Sequence, residues 1–145
     1  MFTLPLSDDN PTRRLPVVTW TVIAGCIAVF LWQTTLGARA GNAIVYSLGL
    51  IPAVLFGTAQ LPPELRLVPA PVSIVTSMFL HGGWMHLLGN MLYLWIFGNN
   101  VEDSMGRGRF VVFYLLCGMT AALVQSFAAP GSEVPMIGAS GAIGG

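Results

Sequence analysis

The sequence predicts an all-α fold, a polytopic transmembrane helical bundle, and three observations support that prediction. Charged residues make up 8% of the 145-residue chain, against about 25% in typical soluble proteins. Hydrophobic residues make up 54%, and the mean hydropathy is +0.74. The apolar residues are gathered into long runs separated by polar links. A soluble fold of this size could not cover its surface with so few charges, so we assign the chain to the membrane proteins.

The charge of the chain argues against a nucleic-acid-binding protein, and the positions of its cysteines argue against a disulfide. The formal net charge is zero, and no basic run is available to neutralise phosphates, so we expect no nucleic-acid partner. The two cysteines, Cys26 and Cys117, both lie inside apolar runs. That position is typical of buried thiols that pack as small hydrophobes, and we favour it over a disulfide.

The first predicted span follows a polar N-terminal tail, residues 1–14. Residues 15–36 carry no charge and reach roughly 33 Å as a helix, which is enough to cross a hydrocarbon core. Trp20 and Trp32 lie toward its two ends, where aromatic rings favour the membrane interface. A cleaved signal peptide is the competing interpretation, but the apolar run continues well past the possible cleavage site at Cys26, so we predict a permanent helix.

Residues 37–80 form a long connection. Its apolar part, Ala43 to Gly57, is short for a span and has Pro52 in its interior, which would break a helix. We therefore predict a membrane-dipping first loop with an interfacial or re-entrant element at 43–57.

Two further spans are predicted at 83–99 and 110–129, and a fourth begins at 138. Arginines flank the first span at Arg13 and Arg14 and lie in the 100–109 link as Arg107 and Arg109. Positive residues favour the cytoplasmic side. The N-terminal tail is therefore predicted to be cytoplasmic, with the 37–80 and 130–137 connections on the outer side of the cell membrane.

Polar groups inside spans are functional candidates because they are costly there. His86 and Asn90 are four residues apart in the second span, so they share one helix face, roughly 5 and 11 Å below its outer end. Ser140 lies two residues into the fourth span, which also starts from the outer side. The three groups are therefore predicted to meet in one cavity within the membrane.

Glycines around Ser140 would let another helix approach closely; these are Gly138, Gly141, Gly144 and Gly145. The start of a helix also offers free backbone N–H donors, which can stabilise an oxyanion. Each signal has a plainer reading when taken alone, since serine often caps or packs and asparagine often joins membrane helices. No zinc-binding motif accompanies the histidines, so we expect no metal and no cofactor.

In their order and separations, three motifs together resemble those of the rhomboid family of intramembrane serine proteases. They are His-Gly-Gly-Trp-Met-His-Leu-Leu-Gly-Asn at 81–90, Gly-Asn-Asn-Val-Glu-Asp-Ser-Met-Gly at 98–106, and Gly-Ala-Ser-Gly at 138–141. The resemblance covers the chain from about residue 15 onward, a partial rhomboid domain at 15–145. It implies a serine endopeptidase that cleaves transmembrane protein substrates within the lipid bilayer.

The resemblance also implies roles for single residues. Ser140 would be the nucleophile, and His86 and Asn90, with the backbone N–H of Ser140, would form the oxyanion hole. Glu102 would be structural, bonding backbone groups where the chain turns on the inner side, and His81 would anchor a loop. The remaining structural positions are glycines: Gly98, Gly106, Gly138 and Gly141.

Two departures from the family pattern stand out. The Trp-Arg pair that many members carry in the first loop is absent; Val72-Ser73 occupies the corresponding place. The family's catalytic base is a histidine on the sixth span, and about six spans are expected in a full protein. Both histidines of this chain lie in or before the second span, so we expect a truncated portion of a longer protease that is inactive alone.

Two other function classes remain as alternatives. A non-catalytic rhomboid-like protein would bind transmembrane clients without cleaving them, and a base histidine further along the gene would discriminate against it. A transporter half would need charged or ion-coordinating groups at mid-membrane depth, and the first and third spans contain no Asp, Glu, Lys, Arg or His.

Overall fold

The computed structural model describes residues 14–145, and they are predominantly helical. The predicted tail, including Arg13, therefore lies outside the described residues except for Arg14. Three long helices dominate; these are α1 (Val17–Thr35), α5 (Trp84–Met105) and α6 (Arg107–Ala128). The other α-helices of the described region are shorter: α2 (Gly37–Leu48), α3 (Pro52–Leu55), α4 (Ser73–Thr76) and α7 (Ser140–Ile143). Three 3₁₀ turns also occur there, at Pro63–Leu65, Ala70–Val72 and Ser77–Phe79. No strand occurs between residues 14 and 145, so the all-α class is confirmed.

Two helices, α1 and α6, are long and apolar enough to cross a membrane by length and composition. They correspond to the predicted spans at 15–36 and 110–129. Helix α5 has 22 residues but is not in that group, since polar residues occupy its second half. The total number of spans therefore stays a prediction.

Large apolar side chains are exposed on all three long helices, as expected for a surface in contact with lipid rather than water. Examples are Trp20 and Trp32 on α1, Met85, Tyr93 and Trp95 on α5, and Leu116, Val124 and Phe127 on α6.

The first loop is folded rather than extended. Helix α2 begins it, and Pro52 is the first residue of α3, a position where its missing N–H costs nothing. Leu50 and Met136 exchange backbone hydrogen bonds of 3.0 and 2.7 Å, and Ala53 N–H donates to Ser132 O at 3.0 Å. These bonds tie the loop to the link that precedes α7, so the loop positions the start of α7. Its predicted placement in the membrane interface is not tested by these contacts.

The core is built around the start of α7. Ala139 is fully buried in one cluster with Cys26 and Phe30 of α1 and Leu87 and Met91 of α5. Ala142 is buried in a second cluster, which contains Met78, Leu94, Phe110 and Tyr114. The single turn of α7 therefore packs one side against α5 and α6, with small residues at its inward positions.

Candidate functional site

His86 lies in the first turns of α5, and its imidazole is oriented by the loop before the helix. The Gly82 backbone N–H donates to His86 Nδ1 at 3.3 Å. Because Nδ1 accepts this bond, we assign the ring proton of the neutral imidazole to Nε2. Nε2 is directed at Gly138, since a Cβ placed on that glycine would lie 2.6 Å from it.

Asn90 follows one turn later on the same helix face. Its Nδ2 would lie 3.5 Å from a Cβ on Gly138, so the amide and the imidazole contact the same glycine. Nδ2 is buried and has no hydrogen-bond partner among residues 14–145. A buried, unpaired amide donor costs free energy, so such a group at a glycine-rich turn is a candidate to receive a ligand oxygen.

Glycine is required at position 138 for two reasons. Its φ is +118°, a conformation that L side chains rarely adopt, and a side chain there would overlap the imidazole. Its own N–H donates to Ser77 O at 2.9 Å, which fixes the backbone between the first loop and α5. The structure therefore brings together Gly138, His86 and Asn90.

Ser140 is the first residue of α7, and its side chain is exposed. It lines a cavity of about 500 Å³ between α6 and the segment before α7, which Gly138 also borders and which His86 and Asn90 do not. Within the described part of the chain, the Ser140 hydroxyl makes no hydrogen bond to either residue. The predicted cavity shared by all three side chains therefore stays a prediction.

His81 is 1% exposed and lies behind His86, with the two ring centroids 5.2 Å apart. Its Nδ1 lies 3.2 Å from Phe79 O, while its buried Nε2 has no partner in the described region. Burial, with a smaller contribution from neighbouring His86, lowers the pKa of His81. This shift favours the neutral form of the ring, and burial keeps the ring in a fixed place beside the candidate site.

Gln33 is a residue that the sequence reasoning missed. Its side chain donates to His81 O and accepts from His81 N–H, both at 3.3 Å, and it is buried. The available signal was a single amide near the end of a charge-free run. An amide in that position is costly unless it is paired, and here it clamps the backbone that leads into α5.

Glu102 joins the far end of α5 to the start of α1. Its carboxylate accepts from Val18 N–H at 3.0 Å, from Thr19 N–H at 2.8 Å and from the Thr19 hydroxyl at 2.8 Å. The Arg107 Nε lies 3.9 Å from it, and Glu102 is 2% exposed. The first amides of a helix lack internal acceptors and favour negative charge, so this carboxylate fixes α1 against α5.

The other glycines predicted to be structural lie at close contacts or turns. A Cβ on Gly98 would lie 2.9 Å from Thr19 Cγ2, and one on Gly141 would lie 2.7 Å from Ala121 Cβ. Gly106 has φ +80° and stands between α5 and α6. Gly98 therefore allows α1 to approach α5, Gly141 allows α7 to approach α6, and Gly106 reverses the chain.

Among residues 14–145, no three His, Cys, Asp or Glu side chains are grouped in a way that could hold a metal ion.

The long apolar helices identify the chain as a helical membrane protein. Its candidate site is a glycine-rich serine turn that lies against an imidazole and an amide. Comparison with known proteins identifies the family, since residues 70–145 match the Rhomboid domain. That match covers more than half of the chain, and the chain belongs to the rhomboid family.

Three relatives illustrate the likeness. The Rhomboid protease GluP of Bacillus subtilis is 42% identical over 72 residues, which are 50% of this chain and 14% of the relative. The mitochondrial Presenilin-associated rhomboid-like protein of Mus musculus is 30% identical over 118 residues, 77% of this chain and 30% of the relative. The Rhomboid protease GlpG of Klebsiella pneumoniae is 28% identical over 107 residues, 74% of this chain and 34% of the relative. The chain thus spans about a third or less of the length of these relatives.

Proposed function

We propose that this chain provides the nucleophile and the oxyanion-binding groups of a serine endopeptidase that cleaves transmembrane proteins within the bilayer. The observation that carries the proposal is the seating of Gly138 against His86 Nε2 and Asn90 Nδ2. This contact brings the Gly-Ala-Ser-Gly turn against the polar face of α5. The glycine that makes the contact is two residues before Ser140. Relatives named as rhomboid proteases support the same activity.

In the proposed reaction, Ser140 Oγ attacks the scissile carbonyl carbon and its proton passes to a general base. The carbonyl oxygen becomes an oxyanion, which accepts hydrogen bonds from His86 Nε2–H, Asn90 Nδ2–H and the backbone N–H of Ser140. The C–N bond then breaks, the amine leaves with the proton, and water hydrolyses the resulting ester. Asn90 Nδ2 has no partner among the described residues, which supports its role because no acceptor there competes for that donor.

The general base is proposed to be a group other than the two histidines of this chain. His86 accepts from Gly82 at Nδ1 and directs Nε2 to the turn, so we propose that Nε2 acts as a hydrogen-bond donor rather than as the base. His81 is buried, and no contact joins it to Ser140 in the described residues. The resemblance implies that the base would be a histidine on a later helix, and we propose that assignment.

The proposed orientation has the N-terminus in the cytoplasm and the active site open to the outer side of the cell membrane. Arg14, Arg107 and Arg109 lie together at the end where α5 meets α6, and positive residues favour the cytoplasmic face. Ser140, His86 and Asn90 belong to the opposite half of the bundle.

The alternative is a non-catalytic rhomboid-like protein that binds transmembrane clients. The observation in its favour is the side chain of Ser140, which has no hydrogen bond to a group that could activate it in the described residues. A binding protein would retain its clients whether or not this hydroxyl is present.

Cleavage of a transmembrane reporter by the purified full-length protein, which includes the later helix proposed to carry the base, tests the proposal after reconstitution in liposomes. Replacing Ser140 with Ala should abolish cleavage and leave the helical content unchanged, because only one exposed oxygen is lost. Ser104→Ala, an exposed serine at the far end of α5, serves as the control and should cleave normally. Cleavage that survives Ser140→Ala would contradict the assigned nucleophile, and reporter binding without cleavage in the wild type would favour the alternative.

A further inference from the structure

Three arginines gather where α5 turns into α6, and we call them the turn arginines: Arg14, Arg107 and Arg109. Arg14 Nη1 lies 3.9 Å from the position of a Cβ on Gly106. Arg107 donates to Leu15 O at 3.2 Å and approaches Glu102. Arg109 is exposed and makes no hydrogen bond or ion pair with any residue in the described range, so its guanidinium is available to a ligand.

Among residues 14–145, the acids near the turn do not neutralise this positive charge. Glu102 is buried and already accepts three hydrogen bonds from α1, so its charge is directed inward. Asp103 is the one other acid in the turn between 98 and 110. Three cations against these two carboxylates leave the exposed surface of the turn basic, which favours an anionic ligand.

An apolar groove runs from Arg109 along the exposed face of α6, which points away from the other helices. It encloses about 470 Å³ and is lined by Met105, Gly108, Arg109, Val112, Phe113 and Leu116. Val112 and Leu116 are each 56% exposed, so the groove is open along its length. We call it the α6 groove.

The chemistry of the α6 groove fits one kind of molecule. Helix α6 is apolar enough to span a membrane, and Arg109 lies in its first turn. If α6 spans the bilayer, this turn lies at the depth of the lipid phosphates. A ligand for this surface needs an anionic head at Arg109 and a hydrocarbon chain long enough to follow Val112 and Leu116. A free phosphate supplies only the first of these, whereas a phospholipid supplies both.

We propose that the turn arginines and the α6 groove form a binding site for one anionic phospholipid. Its phosphate pairs with Arg109, and one acyl chain lies along Val112, Phe113 and Leu116. A zwitterionic lipid carries a cationic group that Arg14 and Arg107 repel, so the site selects lipids with net negative charge. This inference depends on α6 lying in a membrane, and it is independent of any protease activity.

Binding is tested with the purified detergent-solubilised protein by thermal unfolding and by native mass spectrometry. Dioleoyl phosphatidylglycerol should raise the unfolding temperature and give a one-lipid adduct, whereas dioleoyl phosphatidylcholine should do neither at the same concentration. Glycerol 3-phosphate should also have no effect, because it lacks the acyl chains. Arg109→Gln should weaken phosphatidylglycerol binding about fivefold, the effect of one basic residue at an anionic lipid surface.

Matched variants separate this site from general charge attraction. Arg39→Gln removes one exposed arginine of α2 and should leave binding unchanged. Val112→Asn should weaken binding with all six arginines retained. Equal stabilisation by the two dioleoyl lipids, an effect of glycerol 3-phosphate equal to that of the lipid, or equal losses in Arg39→Gln and Arg109→Gln would each overturn the proposal.

Discussion

Gly138 is the residue on which the candidate site depends most. Replacing it with Ala places a Cβ 2.6 Å from His86 Nε2 and strains a backbone with φ +118°. We expect this variant to lose most cleavage activity and to unfold at a lower temperature. Gly131→Ala is the matched control, since a Cβ there meets nothing within 4 Å. Normal cleavage by Gly138→Ala would show that contact between this turn and His86 is not required.

Replacing Asn90 distinguishes a role in cleavage from a role in stability. Its buried amide donor has no partner in the described structure, so Asn90→Ala should change the free energy of unfolding by less than about 1 kcal/mol. Loss of one oxyanion donor should lower the cleavage rate by about 10²–10³. Thermal unfolding and reporter cleavage, measured on the same preparation, check both parts. A stability loss that matches the activity loss would indicate a structural role instead.

At the residue scale, the sequence predicts which side chains share a helix face, but it does not predict where a side chain on a short turn points. The spacing of His86 and Asn90 predicts a shared helix face, and both side chains contact Gly138 in the structure. The direction of the Ser140 side chain could not be predicted, because α7 is one turn long and its orientation is set by contacts with α6 and the first loop. Gln33 was missed because its partner, the His81 backbone, is distant in sequence.

At the scale of elements, the contact between Glu102 and α1 is the clearest structural device. Glu102→Ala removes three hydrogen bonds to a buried carboxylate and should lower the free energy of unfolding in detergent by about 2–4 kcal/mol. Thr19→Val removes only the hydroxyl bond and should lower the free energy of unfolding by about 1 kcal/mol. Exposed Glu133→Ala should have no effect. A Glu102→Ala protein as stable as the wild type would contradict this role.

Hydropathy predicted the existence of the long helices better than their ends. Helix α1 lies within the predicted 15–36 span, whereas α5 extends to Met105, six residues beyond the predicted 99. The reason is physical: an apolar run reports the part of a helix that can contact lipid, while backbone hydrogen bonds continue through polar residues such as Asn99 and Glu102. Helix α2 was hidden for the same reason, since its first half is not apolar.

At the scale of the whole molecule, the arginine distribution predicts how the chain is threaded. Single cysteines at Glu133, in the link before α7, and at Ser104, near the turn arginines, can be tested with a membrane-impermeant maleimide. Glu133→Cys should react in intact cells, and Ser104→Cys should react only after lysis. Unmodified protein reports the background from Cys26 and Cys117. The opposite labelling pattern would reverse the proposed orientation.

In our central proposal, the hydroxyl of Ser140 reacts in a site completed by His86 and Asn90. Mass spectrometry of the full-length protein treated with a fluorophosphonate tests it most directly, because the reagent forms a covalent bond with an activated serine and presents an oxygen to the oxyanion donors. We predict modification at Ser140 alone, slowed at least about tenfold in folded His86→Ala and Asn90→Ala proteins. Absence of modification at Ser140 in a protein that cleaves its reporter, or equal rates in both variants and the wild type, would contradict the account.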